Sequence, residues 1–370
     1  MNHLLTQSNR IQSIDLLRGL VMVLMAIDHS RTFLHIEYPK FNAEDLTQTY
    51  PLLFFTRWIT HFCAPVFIFL TGTSVYLMLQ KRKSKKEISF FLITRGLWLI
   101  ILELTFFRFC WNPDFLNPFV ELLVIWAIGA SMIFMALLIH LSYKTILLFG
   151  IIILIFHNLL PNISIDTLFW GMLYKGGIYP LIGNVKIFFL YPLIPYFGLI
   201  ALGYSLGIFY QNDFSKNQRR IILIWMGTSA IILFLLLRFF NIYGDPKPWQ
   251  SQKDFIYSLM AFLKTTKYPV SLLYALMTLS PALLLLAFIE TVKNKVTDFF
   301  ATIGSVPMFY YMLHLPAFLV ITLLSGGLYK YNLLMVYVWF AMVVLILYLL
   351  CRKYSEYKFS HPEKWWLSYF

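Results

Sequence analysis

The chain has 370 residues, of which 59% are hydrophobic and 13% are charged, and its mean hydropathy is +0.71. A soluble domain carries roughly 25% charged residues, so this composition excludes an ordinary soluble protein and predicts an integral membrane protein. The net charge of +13 does not indicate nucleic-acid binding, because Lys and Arg are expected on cytoplasmic loops and beside anionic lipid.

Apolar runs of about 20 residues, long enough to cross a bilayer, recur along the whole chain. They predict an all-α fold of about ten transmembrane helices in one membrane domain, residues 1–370, without a separable soluble part. The predicted spans are 11–34, 54–80, 88–111, 118–141, 144–161, 187–210, 218–241, 269–292, 303–325 and 331–352.

The distribution of Lys and Arg predicts the orientation of these spans. The basic run KRKSKK, Lys81–Lys86, follows the second span, so we expect this loop and both termini to be cytoplasmic. The three long loops, 35–53, 162–186 and 242–268, then lie on the outer side. A chain that keeps its long loops on one side is expected to act there.

Ionisable residues cluster at the outer end of the first span, in MAIDHSRTFLH. Asp28 and Arg31 are three residues apart on one helix face, where they can form an ion pair, and His29 and His35 lie beside them. Two interpretations stay open. The group is either a solvated helix end or a histidine base whose pKa and orientation are set by neighbouring charges.

The second span begins with a similar group. Arg57 and His61 are four residues apart on one helix face. Consecutive spans tend to pack as neighbours, so we expect Arg57 and His61 to meet Asp28 and His29 at the same depth. Ionisable residues within a membrane are costly, and a constellation with two histidines therefore suggests function.

Further candidates for substrate binding lie in and after the last long loop. Asp245 and Trp249 belong to NIYGDPKPW, and Lys267 and Tyr268 begin the eighth span. The alternative for Lys, Tyr and Trp at this depth is an interfacial anchor. His314, deeper in the ninth span, is also a candidate for substrate binding, although a single buried histidine is more often a helix–helix hydrogen bonder than a catalyst.

The inner ends of the spans carry a second set of charges. Asp15 and Arg18 are three residues apart on the first span, and Arg95 and Glu103 lie in the third. Structural ion pairs are the simplest explanation. The alternative is that Arg18, Arg95 and the basic run beginning at Lys81 bind a phosphorylated ligand that enters from the cytoplasm.

Motifs of soluble enzymes do not occur in the sequence, which has no G-x-S-x-G, P-loop, H-E-x-x-H or EF-hand pattern. The three cysteines, Cys63, Cys110 and Cys351, contain no C-x-x-C pair and predict neither a disulfide framework nor a zinc site. Buried thiols are favoured over a single bridge between Cys63 and Cys110.

Six segments carry a more specific signal. They are SIDLLRGLVMVLMAIDH, DLTQTYPLLFFTRWITHFCAPVFIFLTGTS, YPLIPYFGLIALGYSLG, NIYGDPKPW, TKYPVSLLYALMTLSPALLL and GSVPMFYYMLHLP. From Ser13 to Pro316 the chain resembles the bacterial branch of the family named for the catalytic domain of heparan-alpha-glucosaminide N-acetyltransferase. The opening S-I-D-x-x-R-G also resembles the wider clan of multi-pass membrane acyltransferases.

The resemblance implies a membrane-embedded acetyltransferase in the bacterial inner membrane. Acetyl-CoA would bind from the cytoplasm, with Arg18, Arg95 and Lys81 as the expected contacts to its phosphates. The acetyl group would pass to a sugar or amino sugar of the envelope at the outer face. No metal is implied, and the resemblance leaves a homodimer open as the oligomeric state.

The resemblance also implies a catalytic histidine near the outer ends of the first spans. His29 is preferred because it lies in the bacterial motif, followed by His61 and then His35. In the eukaryotic pattern an Asn stands at the position of His29, and the key histidine falls nearer His35.

Neighbouring charged groups complete the expected site. Arg31 and Arg57 would orient groups or stabilise oxyanion charge, and Asp28 or Asp45 would orient a histidine. Asp45 is also a candidate for substrate binding. Transfer through an acetyl-histidine remains open beside direct transfer.

A proton-coupled or solute transporter is the rival function, with buried ionisable residues as its relay. The sequence shows no internal repeat of the kind that transporters commonly have.

Overall fold

The computed structural model of the protein describes residues 11–81, 84–114, 117–162 and 165–369, so Arg82 and Lys83 of the basic run lie outside the described residues. Most of the regular structure in these ranges is helical. The α-helices are α1 (Gln12–Leu34), α2 (Pro51–Ile59), α3 (Cys63–Lys81), α4 (Lys85–Leu102), α5 (Arg108–Trp111), α6 (Val124–Leu138), α7 (Tyr143–Phe156), α8 (Leu168–Trp170), α9 (Leu193–Leu206), α10 (Lys216–Phe239), α11 (Phe255–Leu263), α12 (Leu272–Ile289), α13 (Lys295–Ser305), α14 (Pro307–Leu324) and α15 (Leu333–Ser360). The strands are β1 (Phe119–Leu122), β2 (Gly177–Ile182) and β3 (Val185–Phe189).

Eight helical segments in the described ranges are long and apolar enough to cross a membrane. They are Pro51–Lys81, Lys85–Trp111, Tyr143–Leu160, Leu193–Tyr210, Lys216–Phe239, Leu272–Ile289, Pro307–Leu324 and Leu333–Ser360. The protein is therefore an all-α integral membrane protein, as the composition predicted. The first predicted span corresponds to α1, which is less apolar because of its charged residues, and the fourth corresponds to the shorter α6.

Several membrane-spanning helices expose apolar side chains at the surface of the protein. In the most apolar window of α10 only 17% of the residues are buried, and Trp225, Leu236 and Phe239 on this helix are exposed. Contiguous apolar surface of this size is unfavourable in water and is the surface expected against lipid. The same holds for α7, where 22% of the corresponding window is buried.

A small β-sheet replaces the ends of two predicted spans. Residues 118–122 and 187–189 were predicted to be helical, and this was wrong, because β1 and β3 cover most of them. The strand order is β1-β3-β2, with β1 parallel and β2 antiparallel to β3. Gly183, at φ +57°, lies in the hairpin turn between β2 and β3, a position that favours glycine.

The chain divides into two compact units. The first consists of Met1–Cys63 and Ala282–Phe370. Within it, α1 packs against α13, α14 and α15. Gly19 and Gly304 allow α1 and α13 to approach closely, since a Cβ atom at Gly19 would lie 1.8 Å from the carbonyl oxygen of Phe300.

The second unit consists of Ala64–Pro281. Within it, α4 packs against α6, and α9 packs against both α6 and α7. Gly72 and Gly203 lie where α3 and α9 meet, and a Cβ atom at Gly203 would lie 1.8 Å from the carbonyl oxygen of Phe69. All three cysteines are buried and none of them forms a disulfide, as the sequence favoured.

Candidate active site

The carboxylate of Asp28 binds two guanidinium groups in the first unit. Its Oδ1 lies 3.0 Å from Nη2 of Arg31, and its Oδ2 accepts a hydrogen bond from Nη1 of Arg57. The spacing predicted the first contact, and the packing of consecutive spans predicted the second. The side chains of Asp28, Arg31 and Arg57 are only 18%, 7% and 14% exposed. The cluster therefore places two cations and one anion in a largely buried environment.

His29 contacts a second histidine from α14. Its Nδ1 lies 2.6 Å from Nε2 of His314, and the two rings are nearly parallel, with centroids 4.9 Å apart. His314 is fully buried, and its Nδ1 lies 2.7 Å from the carbonyl oxygen of Tyr311. The sequence favoured a helix–helix hydrogen bond for His314. The partner is His29, the preferred catalytic candidate.

The hydrogen-bond partners determine the tautomers of this pair. A backbone carbonyl can only accept, so Nδ1 of His314 carries the proton. With His314 neutral, its Nε2 is an acceptor, and Nδ1 of His29 must donate to it. In neutral His29 the lone pair then lies on Nε2, the atom that can take up a proton. A carboxylate orients the catalytic histidine of a Ser-His-Asp triad in the same manner.

His61 lies in a 3-10 turn, Thr60–Phe62, that connects α2 to α3. The side chain is buried, and its Nε2 lies 2.8 Å from Oε1 of Glu44. Arg57 contacts Asp28 and His61 contacts Glu44, so the two residues of the predicted helix face bind different acids. Sequence reasoning missed Glu44 because it lies in a loop without periodicity.

His35 follows the last residue of α1 and is buried. Burial lowers the pKa of His35, and the nearby charges of Arg31 and Lys40 lower it further, whereas Glu37 opposes the shift. Nε2 of His35 lies 3.6 Å from Oε2 of Glu37. His35 is therefore neutral near pH 7.

Asp45 stabilises its own loop. Its Oδ1 accepts hydrogen bonds from the backbone N–H and the hydroxyl of Thr47, at 3.0 and 2.8 Å, and its Oδ2 accepts one from Gln48 at 2.9 Å. These contacts fix the backbone between α1 and α2, and an orienting role toward a histidine remains a prediction.

Asp245 belongs to the second unit and joins two parts of the last long loop. Its Oδ2 accepts hydrogen bonds from the backbone N–H of Thr266 at 2.7 Å and from the hydroxyl of Ser271 at 2.8 Å. Its Oδ1 accepts from the Thr266 hydroxyl at 2.9 Å and from the backbone N–H of Lys247 at 2.9 Å. Asp245 thereby fixes the segment that carries Lys267 and Tyr268.

The other candidates of this loop make aromatic contacts. Trp249 packs against Phe262, with ring centroids 5.2 Å apart. The ammonium of Lys267 lies 5.1 Å from the ring centroid of Tyr268, and the Tyr268 hydroxyl lies 3.2 Å from that of Tyr191. These contacts fit a stable loop, and substrate binding by these residues remains a prediction.

The three cations predicted to bind phosphates differ in their surroundings. In the first unit, Nη1 of Arg18 lies 2.9 Å from Oδ1 of Asp15 and 3.3 Å from the carbonyl oxygen of Gly304. In the second unit, Arg95 is half-buried beside the ring of Phe91, and Lys81 is exposed at the end of α3. The contacts of Arg18 show the ion pair that its spacing predicted.

The fold and the side chains of this site define the class of the protein. The chain is a polytopic helical membrane protein whose first unit holds a histidine pair beside a carboxylate and two guanidinium groups, which are groups suited to acid–base chemistry. The model of the family described as "Heparan-alpha-glucosaminide N-acetyltransferase, catalytic" matches residues 10–239, so the chain belongs to this family. A search of curated proteins found no match.

Family membership confirms the resemblance recognised in the sequence and indicates a transmembrane N-acetyltransferase. The matched residues include Asp28, His29, Arg57 and His61 and end before the segment that contains His314.

Proposed function

We propose that the protein takes an acetyl group from cytoplasmic acetyl-CoA and transfers it to a sugar or amino sugar of the cell envelope at the outer face of the membrane. The observation that carries this proposal is the contact of 2.6 Å between His29 and His314. It gives His29 a defined tautomer beside a cationic cluster.

His29 acts as the general base. The acceptor nitrogen or oxygen attacks the thioester carbonyl carbon, and Nε2 of His29 takes the proton that the acceptor loses. The tetrahedral intermediate collapses, the C–S bond breaks, and the thiolate of CoA leaves and receives the proton from the imidazolium. The product is an acetamide or an acetate ester. A positioned base contributes about 10²–10⁴-fold to such a step.

The cationic cluster supplies the electrostatic part of the reaction. Arg31 and Arg57 carry two positive charges, and Asp28 neutralises one of them. The remaining positive charge favours the oxyanion that develops on the thioester carbonyl, since a largely buried cation is screened less than one in water.

Two further routes are open, one through His29 and one through His61. In the first, Nε2 of His29 attacks the thioester itself, and an acetyl-histidine then passes the group to the acceptor. In the second, His61 is the base, and its contact with Glu44 is the orienting interaction. His35 ranks third, and its lowered pKa keeps it available as a neutral base.

Arg18 in the first unit, and Arg95 and Lys81 in the second, are separate candidates for contacts to the phosphates of acetyl-CoA. Arg95→Ala and Arg18→Ala are both tested for acetyl-CoA binding, and Arg18→Ala also removes contacts to Asp15 and Gly304. We expect Arg95→Ala to weaken acetyl-CoA binding to the detergent-purified protein in calorimetry. Its melting temperature, measured in parallel, separates a loss of binding from a loss of folding.

Proteoliposomes in which the orientation of the protein is known test transfer of the acetyl group across the membrane. Radiolabelled acetyl-CoA is enclosed in vesicles, an impermeant amino sugar is added outside, and the orientation of the protein is determined with a protease-accessible tag. We expect acetylated sugar outside for protein whose predicted cytoplasmic side faces the lumen. Product that forms only when both substrates are on the same side would contradict the proposal.

His29→Ala should abolish transfer in this assay. The exposed His140, whose Nε2 lies 2.8 Å from the Ser89 hydroxyl, provides the matched control. His140→Ala should retain full activity, because it removes an imidazole without touching the Asp28 cluster. Full activity of His29→Ala would move the base to His61.

A further inference from the structure

The second unit contains a cavity of about 470 Å³. Its wall is built by the end of the α7 segment and by parts of the two long loops that follow residues 161 and 241. Both loops are predicted to lie on the outer side. The volume lies within the range of about 300–1,000 Å³ that is typical of small-molecule sites.

Aromatic rings line this cavity. Trp170, Tyr174 and Tyr268 all line it, and the rings of Trp170 and Tyr174 are 5.7 Å apart. Such rings offer flat apolar faces to a ligand, and the Tyr268 hydroxyl is already held by that of Tyr191.

Polar groups also line the cavity, and one of them, Asn158, lacks full pairing within the described residues. Oδ1 of Asn158 accepts a hydrogen bond from the backbone N–H of Leu272 at 3.3 Å, whereas its NH₂ group has no partner among the described residues. Lys175 is paired with Asp166 at 2.7 Å, and both line the cavity together with Lys247. Donors and acceptors are thus present beside the aromatic faces.

The cavity is held in shape by contacts behind its wall. Nε2 of His157 lies 2.6 Å from the carbonyl oxygen of Val270, and Asp245 fixes Thr266 and Ser271. A site whose wall is fixed in this manner loses little conformational entropy when a ligand binds.

The residues that line the cavity favour one class of ligand over the others. A phosphate-rich ligand such as CoA needs several cations, and here Lys175 is already paired with Asp166. An acyl chain would cover the NH₂ group of Asn158 without a hydrogen bond, which is unfavourable. A pyranose ring offers C–H groups on its face and hydroxyl groups at its edge, and it therefore matches aromatic faces combined with amide and charged groups.

We propose that this cavity is a binding site for a small saccharide of one or two rings, with Trp170 as the stacking surface and Asn158 as a hydroxyl-binding group. The assignment of the bound saccharide as the acetyl acceptor depends on the proposed function. The binding itself rests only on the cavity.

Titration of the purified protein with glucosamine, N-acetylglucosamine, N,N′-diacetylchitobiose and cellobiose tests the proposal, with binding followed by calorimetry. We expect saturable binding of at least one of these sugars. Trp170→Ala should weaken it by about tenfold, in line with the loss of an aromatic contact at a binding site.

The neighbouring Phe169 provides the matched control, because it is 62% exposed and does not line the cavity. Phe169→Ala should leave the affinity within about twofold of the unchanged protein, as surface substitutions commonly do. Asn158→Asp, which keeps the acceptor for Leu272 but replaces the NH₂ donor, should also weaken binding.

The outcomes distinguish this inference from the proposed function. Sugar binding that depends on Trp170 in a protein without acetyl transfer would support the site and contradict the function. Acetyl transfer without saturable sugar binding, or binding weakened equally by Phe169→Ala and Trp170→Ala, would overturn the site and leave the function standing.

Discussion

His29 on α1 and His314 on α14 are joined by a contact of 2.6 Å between Nδ1 and Nε2. His314 is in turn anchored at 2.7 Å to the carbonyl oxygen of Tyr311. Because a carbonyl only accepts, the chain of contacts directs the lone pair of neutral His29 to Nε2. His314 is thereby a positioning residue, and His29 is the candidate base.

Replacement of His314 should affect the rate rather than substrate binding. His314→Leu removes the acceptor that orients His29, so we expect kcat to fall about 10²-fold with KM little changed, which is within the range for a misplaced general base. His314→Gln offers a side-chain oxygen to Nδ1 of His29 and should recover part of the rate. Equal kcat in the Leu and Gln variants would contradict the positioning role, and steady-state kinetics with acetyl-CoA and glucosamine provide the measurement.

The Asp28 cluster should be important for stability. Asp28→Ala leaves the Arg31 and Arg57 guanidinium groups without their shared carboxylate, at a cost of about 3 kcal/mol, the lower end for buried pairs. The side chains are 14% and 18% exposed in the Arg57–Asp28 pair, which is why the lower end applies. Thermal unfolding in detergent measures the loss.

The pair Arg352–Glu356 is the control for this prediction. Its side chains are 63% and 66% exposed, and exposed pairs contribute little to stability. Glu356→Ala should therefore leave the melting temperature nearly unchanged. A similar loss in Asp28→Ala and Glu356→Ala would show that burial of the Asp28 cluster has no energetic consequence.

The contact between His61 and Glu44 should show as coupling in a double-mutant cycle. We expect Glu44→Gln and His61→Gln to be non-additive in unfolding free energy by about 0.5–3 kcal/mol, as groups in contact commonly are. Each variant should keep kcat within about tenfold of the unchanged protein, because His29 is the base. A loss above 10²-fold in His61→Gln, with His29→Ala still active, would instead assign the base to His61.

His35 should make the folded state sensitive to acid. Burial lowers the pKa of His35 below its ordinary value of 6.5, so the unfolded chain takes up the proton first as the pH falls. The stability contributed by neutral His35 is present above about pH 6.5 and is lost as the pH falls from there through the folded pKa.

Melting temperatures at pH 7.5 and 5.5 check this effect. His35→Gln should reduce the difference between the two melting temperatures, because it removes the titrating group. An unchanged difference would mean that other groups cause the acid sensitivity.

The sequence predicted the helical elements well where apolar runs were long. Ten predicted spans have helical counterparts, but the ninth, 303–325, is divided between α13 and α14 at Val306. The end residues 118–122 and 187–189 belong largely to strands. A hairpin signal was present around Gly183 and Asn184, yet the neighbouring apolar residues also fit a membrane span, and hydropathy alone does not separate the two.

The membrane class, the family and the pairs of neighbouring charges could be predicted from the sequence alone. Spacing of three residues places Asp28 beside Arg31 and Asp15 beside Arg18, because helix geometry fixes which neighbours share a face. The contacts of His314 with His29 and of Glu44 with His61, and the cavity lined by two loops of the second unit, follow from tertiary packing. The first of these contacts joins residues 285 positions apart, and no local period relates such positions, since the packing of whole helices brings them together.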